Sequence, residues 1–249
     1  MNTGYAVPDT QAAALSEPAR ILNVFTCPTK TFSDLRRNAR WWAPWLVISA
    51  VSLAFIGTID QRIGFDQVTH NLIEKSPRRA QLEKLPPEQQ ARQLEAATRF
   101  TKLVSYCTPA IALLIYAIIA VVLMATFNFG AGAELSFKTS LVIVIYGVLP
   151  MIIGAVLGII SLLAGVNAET FNLNNPVATN PAYFMDPAAS PFLYGLASAL
   201  DVFVIWSIIL IALGFSCNSK LTRGTTLSVV AGWYIVYKLA SSGMAALFS

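Results

Sequence analysis

Five long apolar segments, almost free of charged side chains, constrain this sequence more than any other feature. They cover residues 41–59, 103–129, 141–166, 192–215 and 226–248. A helix needs about 20 mostly apolar residues to cross the roughly 30 Å hydrocarbon core of a bilayer. Each segment is therefore predicted to be a transmembrane helix. The expected fold class is all-α, a polytopic membrane protein built as a five-helix transmembrane bundle.

The composition agrees with a membrane protein and excludes an ordinary soluble enzyme. Of the 249 residues, 55% are apolar and only 12% are charged, whereas soluble domains carry roughly 25% charged residues. The high apolar content also excludes a disordered chain. The net charge of +4 fits the excess of Lys and Arg on cytoplasmic flanks, so no nucleic-acid partner is expected.

The distribution of Lys and Arg predicts the orientation in a cell (inner or plasma) membrane. Five basic residues precede Trp41, two lie in the link 216–225, and none lies in the link 167–191. Basic links stay in the cytoplasm, which predicts a cytoplasmic N-terminus and an extracytoplasmic C-terminus. The link 60–102 disagrees with this orientation, because it carries eight basic and six acidic residues, a net charge of +2. We nevertheless expect it to be translocated, because it is long.

The segments that flank the spans have features of their own. Residues 1–16 are small and polar and predict a flexible tail, which leaves 17–249 as a single membrane domain. The segment between this tail and the first span is basic and amphipathic, which is typical of a helix that lies in the headgroup plane of the membrane. The alternative is that this N-terminal helix packs on the bundle and never meets lipid. A helix is also predicted from about Pro87 directly into the second span.

The sequence offers no set of residues for catalysis. His70 is the only histidine, and the three cysteines (Cys27, Cys107 and Cys217) are scattered. No span contains the Ser and His of an intramembrane serine protease, or the two aspartates of an aspartyl protease, and there is no phosphate-binding glycine loop. We therefore expect no enzymatic activity, no catalytic residue, no cofactor and no metal site.

Small residues and one proline mark the third span as a site of close helix packing. Gly154 and Gly158 form a GxxxG pair, and Gly147 lies one turn before Pro150 in YGVLPMIIGAVLG. Such glycines let another backbone approach closely, and Pro150 is expected to kink the helix. The contact is either within the monomer or between copies in a homo-oligomer.

Two ionisable residues lie inside the fourth and fifth spans, Asp201 and Lys238. Counted from the short link between these spans, both lie roughly 20 Å along their helices. They are therefore predicted to pair inside the membrane, because each alone costs about 2.5–3.5 kcal/mol there. The pair either fixes the register of two helices or marks a proton or ion path. In the competing geometry Lys238 extends to the membrane interface instead.

Several motifs together resemble a known family. These are ILNVFTCPTKTF near the N-terminus, YGVLP in the third span, and the Asp-x-Phe-x-x-Trp pattern of Asp201, Phe203 and Trp206. They are similar to the bacterial branch of the Yip family, the Ypt/Rab-interacting five-span membrane proteins, over about Ile21 to Leu247. The resemblance implies a cytoplasmic N-terminus and an opposite C-terminus. Eukaryotic relatives act with small GTPases in vesicle traffic and membrane shaping.

The expected function is that of a non-enzymatic membrane adaptor or organiser, which binds other membrane proteins or shapes the bilayer. Its expected partners are the lipid bilayer and other membrane proteins. The alternative is a small permease or an accessory subunit of a membrane export or transport system. Asp201 and Lys238 motivate this alternative, because intramembrane ionisable residues can mark a substrate path.

Overall fold

The computed structural model describes residues 14–76 and 79–247, and within these ranges it contains helices and no strand. The all-α fold class is thus confirmed. The predicted flexible tail lies outside the described residues except for 14–16, where Ser16 caps the first helix. In chain order the α-helices are α1 (Glu17–Thr26), α2 (Pro28–Asp34), α3 (Trp42–Arg62), α4 (Phe65–Glu74), α5 (Arg79–Leu82), α6 (Pro87–Tyr106), α7 (Thr108–Ala131), α8 (Phe137–Gly147), α9 (Met151–Leu163), α10 (Pro191–Ser198), α11 (Val202–Asn218) and α12 (Arg223–Leu247).

Three helical segments of the described chain are long and apolar enough to cross a membrane: α3, α7, and α8 with α9 taken together. The pair α10 and α11 also qualifies if its two bent halves form one span, which raises the number to four. At 25 residues, α12 is long enough, but Ser, Thr, Gly and Lys238 lower its mean hydropathy. A multi-pass membrane protein is thus established, and the count of five spans stays a prediction.

The core of the molecule is the part of α8 from Ser140 onward, which is covered on all sides. Every residue from Ser140 to Pro150 is buried. The sequence of this helix is apolar around its whole circumference, which is typical of a central helix. It packs mainly against α7 and α11, with α1 and α3 completing the shell.

Pro150 separates α8 from α9, as its chemistry requires. A proline has no N–H, so the carbonyl of Tyr146 cannot accept the usual helical bond from residue 150. Leu149 N donates to that carbonyl instead at 3.3 Å, and Met151 N donates to Val148 O at 3.0 Å. The chain therefore passes through a tighter turn before α9 begins.

The links between the helices gather at two ends of the bundle. Asn71, in α4, donates through Nδ2 to the carbonyls of Ala168 and Phe171, at 2.8 and 3.0 Å. The links that follow α3 and α9 therefore lie at one end, called here the loop end. At another end, Asn218 Nδ2 donates to Phe32 O at 2.9 Å and connects the end of α11 with α2.

The helix predicted from Pro87 is present and leads into α7 through a turn at Cys107. Lys102 Nζ and Tyr106 OH both donate to the Asp60 carboxylate, at 3.2 and 3.0 Å, and hold the end of α6 against α3. The first part of α6 is polar and carries exposed ion pairs between residues four apart. Such pairs support a helix that is exposed to water.

Candidate functional site at the break between two helices

The fourth apolar segment is broken in the middle. Helices α10 and α11 meet at 54°, with residues 199–201 between them. Ser190 Oγ accepts from Leu193 N and begins α10 together with Pro191. Asp201 has an extended backbone, at φ −70° and ψ 129°, and begins α11 as its N-cap. The fourth predicted span is therefore not one continuous helix, because the aspartate starts a new helix.

The Asp201 carboxylate is surrounded by four donors. Its Oδ1 accepts from the backbone N–H of Phe203 at 2.9 Å and of Val204 at 3.2 Å. Its Oδ2 accepts from the hydroxyl of Thr179 and from Asn180 Nδ2. The N-terminus of α11 adds the positive end of the helix dipole. Both oxygens are thus satisfied without a basic side chain.

Lys238 lies beside the C-terminal end of α10, whereas Asp201 lies at the N-terminal end of α11. Its Nζ donates to Ser198 Oγ at 2.9 Å, and Ser198 donates in turn to the Gly195 carbonyl at 2.8 Å. On the same face of α12, the hydroxyl of Tyr234 donates to Ala199 O at 3.0 Å. The last turn of α10 is the negative end of its helix dipole, which favours a nearby cation.

Asp201 and Lys238 therefore lie at the same helix break but do not form the predicted ion pair among the described contacts. Asp201 holds the start of α11, and Lys238 holds the end of α10. Each charge lies beside a helix end of opposite polarity, which stabilises it without an ion pair. Lys238 also does not extend away from the bundle, since its ammonium points to Ser198.

The three residues of the Asp-x-Phe-x-x-Trp pattern connect three different parts of the molecule. Asp201 binds Thr179 and Asn180 of the link after α9. A Cβ built on Gly154 would lie 3.2 Å from Phe203 Cδ2, so Phe203 packs on α9. The Trp206 ring meets the Phe25 ring of α1 edge to face, with centroids 5.8 Å apart.

The predicted packing glycines contact side chains of this same chain. A Cβ built on Gly158 would lie 2.6 Å from Phe55 Cε2, and one built on Gly147 would collide with Ile211. With Phe203 against Gly154, the small-residue face of α8 and α9 is filled by α3 and α11. This geometry corresponds to packing within the monomer.

The N-terminal helices contain a buried charge network that the sequence analysis missed. Arg20 is 1% exposed and contacts Glu17 at 3.1 Å and Asp34 at 2.7 Å. The buried hydroxyl of Tyr146, in α8, donates to Glu17 at 2.9 Å. The apolar side of this segment (Val24, Phe32 and Leu35) is buried in the main core. The segment thus packs on the bundle, and its two acidic residues were the sequence signal for this.

The described residues offer no cluster of three or more His, Cys, Asp or Glu side chains that could hold a metal ion. His70 lies 3.9 Å from Glu74 on the exposed face of α4. Cys27, Cys107 and Cys217 are not bonded to one another.

Comparison with known proteins finds one family. The family model described as the Yip1 domain matches residues 22–242. This range includes the helix break, Lys238 and the second half of α1. Neither the curated proteins nor the solved structures gave a match.

Proposed function

We propose that this chain, which belongs to the Yip1 domain family, is a non-enzymatic adaptor that binds other membrane proteins within the bilayer. In this proposal it lies in a bacterial inner or plasma membrane with a cytoplasmic N-terminus. It acts by presenting helix surfaces and not by chemistry. The family gives the membrane setting, and the surface of α6 and α7 carries the proposal.

That surface is an uninterrupted apolar stripe that no other part of the described chain covers. Its residues recur every three or four positions and are all exposed: Phe100, Val104, Cys107, Ile111, Leu114, Ile118 and Val121. This spacing is typical of a helix that packs lengthwise on another helix. Lipid can cover the part on α7, but α6 is too polar to lie in the hydrocarbon core. A partner helix covers both parts at once.

The proposal is tested by photo-crosslinking in native membranes. A photoreactive amino acid replaces Leu114 or Ile118 on the stripe, or Ile160 on the exposed face of α9 as the control position. We expect protein adducts of reproducible mass from the two stripe positions and lipid adducts from Ile160. Lipid adducts alone from all three positions would contradict an adaptor role.

The helix break favours a second candidate, a component of a transport system. Discontinuous membrane helices place their half-helix ends at substrate and ion sites in several transporter folds. Here the ends of α10 and α11 face each other with Lys238 and Asp201 beside them. Solute or proton flux into liposomes that contain only the purified protein would support this candidate, and its loss in Asp201→Asn would assign the flux to the break.

A further inference from the structure

A cavity of about 810 Å³ opens at the loop end of the molecule. It lies between α4, the link before α10, α10 itself and the last turns of α12. Ser198, which binds Lys238 on its other side, forms part of the wall. The volume is within the range of roughly 300–1,000 Å³ that is usual for small-molecule sites.

The cavity carries one charged side chain in its described wall, the ammonium of Lys75. Its described wall contains Lys75, several serine hydroxyls, two asparagine side chains and Tyr194, and it contains no Asp or Glu. Lys75 donates to the carbonyl of Thr170 at 3.1 Å and has no carboxylate partner among the described contacts. An ammonium in a wall without acidic groups favours an anionic ligand.

Two hydroxyls in the wall have unused hydrogen-bonding capacity. Tyr194 OH accepts from Asn172 Nδ2 at 3.1 Å, and its own proton has no acceptor among the described residues. Ser242 is 2% exposed, and its hydroxyl has no hydrogen-bond partner in the described part of the chain. Buried polar groups are usually satisfied, so each unsatisfied one needs an explanation. A phosphate oxygen would satisfy Tyr194, whereas Ser242 packs against Gly195 of α10 at the edge of the cavity.

Exposed apolar side chains adjoin the wall residues of the cavity along the chain. Leu193 of α10 and Met244 of α12 are both exposed. They are the chain neighbours of the wall residues Tyr194 and Ala245. A polar cavity beside an apolar helix surface fits a molecule with a charged head and an apolar tail. We propose that this cavity binds the phosphate headgroup of an anionic phospholipid, with the acyl chains on α10 and α12. This site is independent of the stripe on α6 and α7.

The test uses the purified full-length protein in detergent with three probes: phosphatidylglycerol, phosphatidylcholine and free glycerol 3-phosphate. Binding is measured as lipid retained in native mass spectrometry and as the shift in thermal unfolding. We expect phosphatidylglycerol to be retained and to raise the unfolding temperature, and phosphatidylcholine to do neither. Equal retention of the two lipids would overturn the proposal.

Variants locate the site. Lys75→Met is expected to weaken phosphatidylglycerol binding at least about tenfold, since a hydrogen bond to a charged group is lost. Tyr194→Phe removes the free phenolic proton and is expected to weaken binding several-fold. Lys84→Met is the control, because Lys84 is exposed in the same link but not in the wall. Equal losses in Lys75→Met and Lys84→Met would overturn the site.

A shift in the unfolding temperature with glycerol 3-phosphate as large as that with the lipid would overturn the assignment to a lipid.

Discussion

Asp201 shows how an apolar segment accommodates a carboxylate. The carboxylate accepts hydrogen bonds from two backbone N–H groups and two side chains. It also lies at the N-terminus of α11, the positive end of the helix dipole. A buried charge is costly unless such donors replace its water. The aspartate therefore stabilises the break instead of weakening the helix pair.

Replacing Asp201 with alanine is expected to destabilise the protein by about 1–3 kcal/mol. The change removes the N-cap of α11 and leaves Thr179 and Asn180 without their acceptor. The measurement is the free energy of unfolding of the purified protein in mixed micelles. Asp186→Ala is the matched control, because among the described contacts the Asp186 carboxylate accepts from Ala188 N alone, in an exposed turn. Equal losses for the two variants would show that Asp201 has no special structural role.

At the residue scale, the sequence could identify Asp201 and Lys238 but not their partners. A charge within an apolar segment is visible in any hydropathy profile, and both residues do lie at one site. Their partners Thr179, Asn180 and Ser198 depend on how the link after α9 and the end of α10 fold back. No periodic pattern records such contacts, so the sequence offered only the nearest opposite charge as a partner.

At the scale of elements, close approach of α8 to α11 depends on Gly147. A Cβ there would lie 3.1 Å from the backbone N of Ile211, in addition to its collision with the Ile211 side chain. Gly147→Ala is therefore expected to reduce stability by about 1–3 kcal/mol, because a packed helix pair must separate. Gly232→Ala in α12 is the control, since nothing lies within 4 Å of its added carbon. The yield of folded protein after heating compares the two; equal yields would contradict the packing described.

The docking of α1 and α2 depends on Arg20. Arg20→Met leaves Glu17 and Asp34 without their counter-charge in a buried site, which is expected to cost about 3–5 kcal/mol. We expect the backbone amides of α1 and α2 to exchange hydrogen faster in this variant, while the amides of the bundle helices keep their protection. Lys30→Met is the control, because Lys30 is exposed on the same segment. Unchanged exchange in Arg20→Met would mean that the network does not hold the segment.

The helices were predictable where an apolar composition by itself indicates a membrane span. A break was predictable where a residue such as proline cannot continue a helix. The apolar segments correspond to α3, α7, α8 with α9, α10 with α11, and α12. The turn at Pro150 was predictable because the proline ring removes a backbone N–H donor. The break at Asp201 was not predicted, because its surroundings are as apolar as a continuous span. The position of α1 and α2 depends on tertiary contacts with Tyr146 and Trp206, which lie far away in the sequence.

For the whole molecule, the links divide into two groups. Asn71 and Lys75 bind the link after α9, so the links 60–102 and 167–191 lie together at the loop end. Asn218 binds Phe32, so the link between α11 and α12 lies beside the N-terminal helices. We propose that the first group faces the outside and the second the cytoplasm, because the link 167–191 has no Lys or Arg and the link 216–225 has two. This assignment requires α10 and α11 to cross the bilayer as one broken span and not to return as a re-entrant loop.

The most direct test places single cysteines at exposed positions in a variant without the three native cysteines. Lys84→Cys and Ala178→Cys lie in the links of the loop end, and Lys220→Cys lies in the link after α11. An impermeant thiol reagent is applied to intact cells and to inverted membrane vesicles. We expect Lys84→Cys and Ala178→Cys to react in intact cells and Lys220→Cys to react only in inverted vesicles. Reaction of Ala178→Cys and Lys220→Cys from the same side would contradict a broken span that crosses the membrane with Asp201 at its bend.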